Sequence, residues 1–287
     1  MTKRLWLRVF LTGFVLWLAT VVVTALTRNS NLVPTVVLFG SFLVPVTFVI
    51  WAYGRGRSPQ VTVELLFTAF VVGGVLGVLG ASLLESWLVR PSITMYVLVG
   101  LIEEGVKLAA LMFVTRRMAR HSTRDGLVLG ATVGFGFAAF ESAGYAFNAL
   151  FTHAGLSLTQ LVETEVLRGI LTPVGHGLWT AIAGGALFAA GGRLTSRVAL
   201  AYLGVSLLHA LWDSMSGLAI AITLVLTGRP WQFEQLRIGR VPDVTEQQVH
   251  VYTALNWAGL ILISLVALLW LRRIASSARR DREILSQ

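Results

Sequence analysis

Eight apolar stretches, each long enough to cross a hydrocarbon core of about 30 Å, dominate this chain: about 5–27, 32–53, 61–84, 92–115, 126–148, 166–190, 198–226 and 251–271. Inside a bilayer, backbone polar groups find no water and must be satisfied within the segment, so stretches of this kind form helices. The expected fold class is therefore all-α, a polytopic membrane helix bundle of about eight transmembrane helices. The composition agrees, because only 13% of the residues are charged, roughly half the usual share in soluble domains. The first stretch follows Lys3 and Arg4, as a secretory signal would. It is too long for a signal core and ends without a small-residue cleavage site, so it reads as a retained helix.

Charge gives the orientation. Lys3, Arg4, Arg8, Arg55, Arg57, Arg116, Arg117, Arg120, Arg124, Arg193, Arg197, Arg272, Arg273, Arg279, Arg280 and Arg282 fall on one set of ends. Only Arg28, Arg90, Arg168, Arg229, Arg237 and Arg240 fall on the other. The positive-inside rule then places both termini in the cytoplasm, N-in and C-in. The net charge of +9 is accounted for by these short gaps rather than by a folded basic face, which argues against nucleic acid as a partner. Most connections are short; the exceptions are 149–165, with Glu163 and Glu165, and the polar loop 227–250. Neither holds a soluble domain, so 1–287 reads as a single integral membrane domain with 227–250 an extracytoplasmic loop.

Seven ionisable side chains lie well inside these spans: Glu103, Glu104 and Lys107 in the fourth, Glu141 in the fifth, His176 in the sixth, and His209 and Asp213 in the seventh. The four carboxylates and the lysine would together cost on the order of 10–20 kcal/mol if they faced lipid. They are expected to face one another or a wet cavity instead. At a rise of about 1.5 Å per residue, Glu103 and His176 lie roughly 15 Å from the outer ends of their spans, and His209 lies as far from the inner end of its own. Polar groups from four helices thus converge on one depth. Gly126, Gly130, Gly134, Ala138 and Ser142 recur every fourth residue in the fifth span, a stripe that lets a neighbouring helix approach closely.

Spacing suggests chemistry. Lys107 lies three and four residues after the two glutamates and reaches both. A charged carboxylate beside a protonated one can supply the base and the acid of a hydrolysis. His209 and Asp213 also share a helix face. In one reading His176, His209 and Asp213, with Glu141 or a glutamate of the fourth span, hold a divalent metal such as Zn2+. In the other no cofactor is present: a glutamate activates water, the histidines donate to the oxyanion, and Asp213 fixes the tautomer of His209. The absence of cysteine excludes thiolate ligands and a cysteine nucleophile.

Four motifs in order resemble those of the PrsW intramembrane proteases, relatives of the CAAX-processing and bacteriocin-immunity membrane proteases. EExxK is present as Glu103-Glu104-Gly105-Val106-Lys107 and FxxxE as Phe137 to Glu141. Arg168, Thr172-Pro173 and His176-Gly177 form the third motif, and HxxxD is His209 to Asp213. The resemblance covers about 92–225, which is taken as the motif-bearing catalytic core. It implies hydrolysis of a peptide bond in or next to the membrane segment of a single-pass protein, anti-sigma-factor-like, in a bacterial cytoplasmic membrane. The family has been classed as metalloproteases while its relatives point to a glutamate mechanism, so Zn2+ stays open.

Two other classes fit intramembrane acids and histidines. A proton- or ion-coupled transporter would use helices broken at the midplane, and Thr172-Pro173 with Gly175 offers such a break; no internal repeat supports it. A non-catalytic scaffold of the same fold is the third, and the intact Glu103 and Glu104 argue against it. Glu85 and Arg90 are expected at the outer surface. Trp6, Trp17, Trp51, Trp87, Trp231 and Trp270 read as interfacial anchors, and Trp179 and Trp212 as packing beside the site.

Overall fold

The structure, a computed structural model, describes residues 4–54, 58–92, 94–240 and 242–285, with side chains as far as residue 277. Lys3, Arg55 and Arg57 and the side chains of Arg279, Arg280 and Arg282 lie outside the described residues. The apolar stretches form helices: α1 (Leu5–Thr27), α2 (Val33–Tyr53), α3 (Val63–Val71) continuing through a π-turn at Val72–Leu76 into α4 (Gly77–Leu88), and α5 (Met95–Thr115). Then come α6 (Thr123–Ala149), α7 (Leu158–Leu171), α8 (His176–Ala189), α9 (Ser196–Thr227), α10 (Pro230–Arg237) and α11 (Glu246–Leu285). A two-stranded hairpin, β1 (Phe151–Thr152) and β2 (Gly155–Leu156), joins α6 to α7.

Six of these helical runs are long and apolar enough to cross a bilayer: Leu5–Thr27, Ser30–Tyr53, Val63–Leu88, Thr123–Ala149, Ser196–Thr227 and Glu246–Ser277. Their outer surfaces carry large exposed apolar side chains, such as Leu16, Leu203 and Leu269. The protein is an all-α, multi-pass membrane protein. At 21 residues α5 has the length of a span, but it carries the Glu103, Glu104 and Lys107 charges.

The small-residue stripe explains how the site is framed. A Cβ on Gly126, Gly130 or Gly134 would lie 2.3 Å from the backbone oxygen of Gly184, Thr180 or His176 respectively. Bare glycine backbone therefore lets α6 lie against α8 and fixes the main chain at His176. On another face of α6, a Cβ on Gly136 would meet the Phe70 carbonyl at 2.1 Å, which seats α3 there. With neighbours on both sides, α6 is the most buried of the long helices.

Three expectations are corrected. The stretch 166–190 is not one helix: α7 ends at Leu171, a 3-10 turn covers Thr172–Val174, and α8 begins at His176. Pro173 has no N–H to donate and disfavours helical geometry in the residue before it, and Gly175 completes the break. Neither 14-residue piece spans about 30 Å alone. The segment 149–165 is not simply a loop, because α7 starts at Leu158, Ser157 accepts the Gln160 N–H as its cap, and Glu165 is buried. Within 227–250, α10 folds back through Gln232, whose amide pairs with that of Gln248 in both directions.

Candidate active site

The site is built outward from α5. Adjacent residues on a helix point about 100° apart, so Glu103 and Glu104 address different neighbours. Lys107, one turn on and fully buried (0% exposed), reaches both, with Nζ 2.7 Å from Glu104 Oε1 and 3.4 Å from Glu103 Oε2. Its third contact is a 2.8 Å hydrogen bond to Nδ1 of His176, and the ammonium also lies 4.3 Å from the centre of the Phe137 ring. An unpaired lysine at this depth would be very costly; three acceptors and a ring face offset its burial.

The break before α8 puts His176 at a helix start, against α6. An ammonium has no lone pair to accept with, so His176 Nδ1 accepts from Lys107, and Nε2–H donates to Glu141 Oε2 at 3.1 Å. Glu141 is also clamped from α7: Arg168 donates to its Oε2 and, through Nε, to Ser142 Oγ at 2.7 Å, and stacks on Tyr145. Ser142, the last residue of the small stripe, is thus a ligand of the arginine as well as a packing position.

From α9, His209 closes the cluster. Its Nδ1 lies 3.0 Å from Glu104 Oε1, which can only accept if ionised, so Nδ1 carries the proton. Nε2 faces Asp213 Oδ2 at 3.2 Å and Glu103 Oε2 at 3.7 Å. Asp213 therefore sits on the nitrogen opposite to the one that Glu104 holds, and Glu104 takes the tautomer-fixing position foreseen for Asp213. Trp179 stacks on His209 at 4.8 Å and meets His176 edge-on at 5.3 Å, separating the imidazoles from the core behind.

A cavity of about 440 Å³ opens on this cluster. Glu103, Glu141, His176 and Asp213 border it, whereas Glu104, Lys107 and His209 do not. All seven residues singled out in the sequence thus come together, with three of them behind the others. Two residues given no role in the sequence also line the cavity, Arg168 and Glu85. Arg168 was legible as part of a motif. Glu85, expected at the outer surface, is half-buried on the cavity wall, and position near a span end carried no signal for it.

The described residues contain one cluster suited to a metal ion: one ligand atom each from Glu103, His176 and His209, all within 4.8 Å of one another. Two imidazoles and a carboxylate are a common catalytic zinc donor set, and ligand atoms at about 2.1 Å from a tetrahedral ion stand roughly 3.4 Å apart. Glu103 Oε2 is 3.7 Å from His209 Nε2 and 3.9 Å from His176 Nδ1, so the three ligand atoms would have to draw together to reach that spacing. Two carboxylate oxygens, Glu103 Oε2 and Asp213 Oδ2, also face His209 Nε2, which calls for a proton or a cation at that nitrogen. The donor set fits a divalent ion, provided that Lys107 releases His176 Nδ1.

Residues 59–233 match the model of the PrsW family intramembrane metalloproteases. The chain belongs to that family. This PrsW-family protein is accordingly an intramembrane protease, with a Glu/His/His candidate metal-ligand cluster at its centre. The match begins ahead of the four motifs and takes in α3 and α4, hence Glu85. Comparison with curated proteins and with solved structures gave no match.

Proposed function

We propose that the protein cleaves a peptide bond in or next to the membrane segment of a single-pass protein, and that Glu103 is the carboxylate on which water activation depends. The observation carrying this is the division of the glutamate pair: Glu103 borders the cavity while Glu104 lies behind it, bonded to Lys107 and His209. Glu104 and Lys107 are then positioning residues. Glu104 holds the Nδ1 proton of His209 so that Nε2 faces Glu103, and Lys107 balances the charge of both carboxylates. Glu141, held by Arg168, orients His176, and Asp213 is available at the cavity wall to take or give a proton to the leaving amine.

Glu103, His176 and His209 would hold a zinc ion, with Asp213 beside them. When bound there, it would polarise the scissile carbonyl and lower the pKa of a water to about 7. A metal-free centre is the second reading, and a specific observation favours it: Lys107 already occupies His176 Nδ1. Glu103 then acts on water directly, and His209, with its second nitrogen Nε2 protonated, donates to the oxyanion. Metal content of the purified protein by mass spectrometry separates the two. About one zinc per chain, lost in His209→Ala, supports the metal centre; an active preparation without metal supports the direct one.

The topology that suits this reading has eight crossings, the six long helices with α5 and the α7–α8 pair as the other two, and both termini in the cytoplasm. In that topology 1–287 is a single membrane domain, 227–250 is an extracytoplasmic loop, and 92–225, which carries the motifs, is the catalytic core. The substrate would be an anti-sigma-factor-like protein in a bacterial cytoplasmic membrane.

A further inference from the structure

Four carboxylates line the cavity, and three of them have a cation or an imidazole in contact. Glu103 has Lys107 at 3.4 Å, Asp213 has His209 at 3.2 Å, and Glu141 has both Arg168 and His176. Glu85 is the exception. Its carboxylate makes no hydrogen bond or ion pair with any described residue, and its Oε1 is buried from solvent with no partner. A buried acceptor left open is costly, roughly 1–3 kcal/mol and more when charged. One on the wall of a substrate cavity invites a partner carried by the substrate.

We propose that Glu85 is a specificity-determining residue that receives a basic side chain, lysine or arginine, of the protein being cut. Its surroundings suit such a group. Tyr96, Tyr145 and Trp212 line the same cavity, giving the aliphatic stem an aromatic wall, and Arg168 over Tyr145, 4.3 Å from the ring centre, shows that this wall already holds a cation. Position along the helices gives the register. Glu85 lies three residues before the end of α4 and Glu103 eight residues after the start of α5. At about 1.5 Å per residue, with the two ends joined by a short connection, Glu85 lies roughly 7 Å nearer that connection than Glu103 does. An extended peptide rises about 3.3 Å per residue, so the basic side chain belongs about two residues from the bond that is cut.

This inference rests on the cavity being the cleft that takes the peptide, and the test keeps the two apart. A fluorescent single-span peptide, with the flanking positions set in turn to Lys, Gln and Glu, is bound to the full-length protein in detergent and then assayed for cleavage by mass spectrometry. Wild type should bind the Lys peptide about tenfold more tightly than the Glu peptide at one position. Glu85→Gln should bring that ratio close to one, and Glu85→Lys should invert it. Equal binding of all the peptides by wild type, or an unchanged ratio in Glu85→Gln, overturns the proposal. Charge-selective binding without cleavage would leave it standing and count against the protease reading; cleavage indifferent to charge would sink the proposal alone.

Discussion

Two buried polar clusters in this protein are built on opposite principles. At one end of the bundle Gln232 and Gln248 exchange hydrogen bonds at 3.0 and 2.9 Å. Gln232 also donates to the Asp243 carbonyl and accepts from the Arg229 N–H, while Gln248 donates to the Thr227 carbonyl and accepts from the Thr245 N–H. Each amide uses both donors and accepts twice, with no net charge. In the cluster at the cavity, by contrast, the carboxylates of Glu103 and Asp213 face the same His209 nitrogen, and Glu104 Oε2 is buried without a partner. A satisfied neutral knot holds a fold, whereas a charged cluster with unmet acceptors is poised for a proton, a cation or a substrate. Removing parts of the first should therefore cost stability, and removing parts of the second should cost activity.

Apart from Glu103, the largest effects are expected at the histidines. His176→Ala and His209→Ala should each lower the cleavage rate by about 10²–10⁴-fold, with thermal unfolding in detergent little changed; unfolding of both variants would instead make the cluster structural. Arg168→Gln should follow, at about 10–100-fold, because Arg168 acts on His176 only through Glu141. A steady-state assay should place that loss in kcat rather than in KM. Gln248→Ala reverses the pattern: breaking its hydrogen bonds should cost about 2–3 kcal/mol, read as a lower denaturation midpoint, while the rate per folded molecule stays as it was. The smallest effect belongs to a lone contact. Trp17 donates to Glu165 Oε2 at 2.8 Å, tying α1 to α7, and Trp17→Phe should cost about 1 kcal/mol. A loss above that of Gln248→Ala would break the ranking.

The sequence made the centre legible because charge inside an apolar span is costly enough to be conspicuous. That argument picked out seven residues that the fold brings into contact, and the small-residue stripe indicated which helix would be central. It could not assign faces. Glu103 and Glu104 are equivalent until α9 is known to lie on one side and the cavity on the other. Glu85 escaped notice because a charge in the last turn of a span can reach water, so its position carries no penalty to reveal it. Trp17 was expected at an interface for the same positional reason, yet it is buried (7% exposed), bonded to a glutamate from a segment expected to be loop. The break at Thr172–Gly175 was visible as Pro and Gly, but apolarity on both sides concealed that α7 and α8 are separate helices.

The most direct test of the central assignment is single-turnover cleavage of a single-pass membrane protein in proteoliposomes by Glu103→Gln and Glu104→Gln. Glu103→Gln should be slowed by about a thousandfold or more, and Glu104→Gln, which keeps an acceptor for the His209 proton, by about 10–100-fold. Near-normal cleavage by Glu103→Gln, with Glu104→Gln inactive, would contradict the account and move water activation to the buried glutamate.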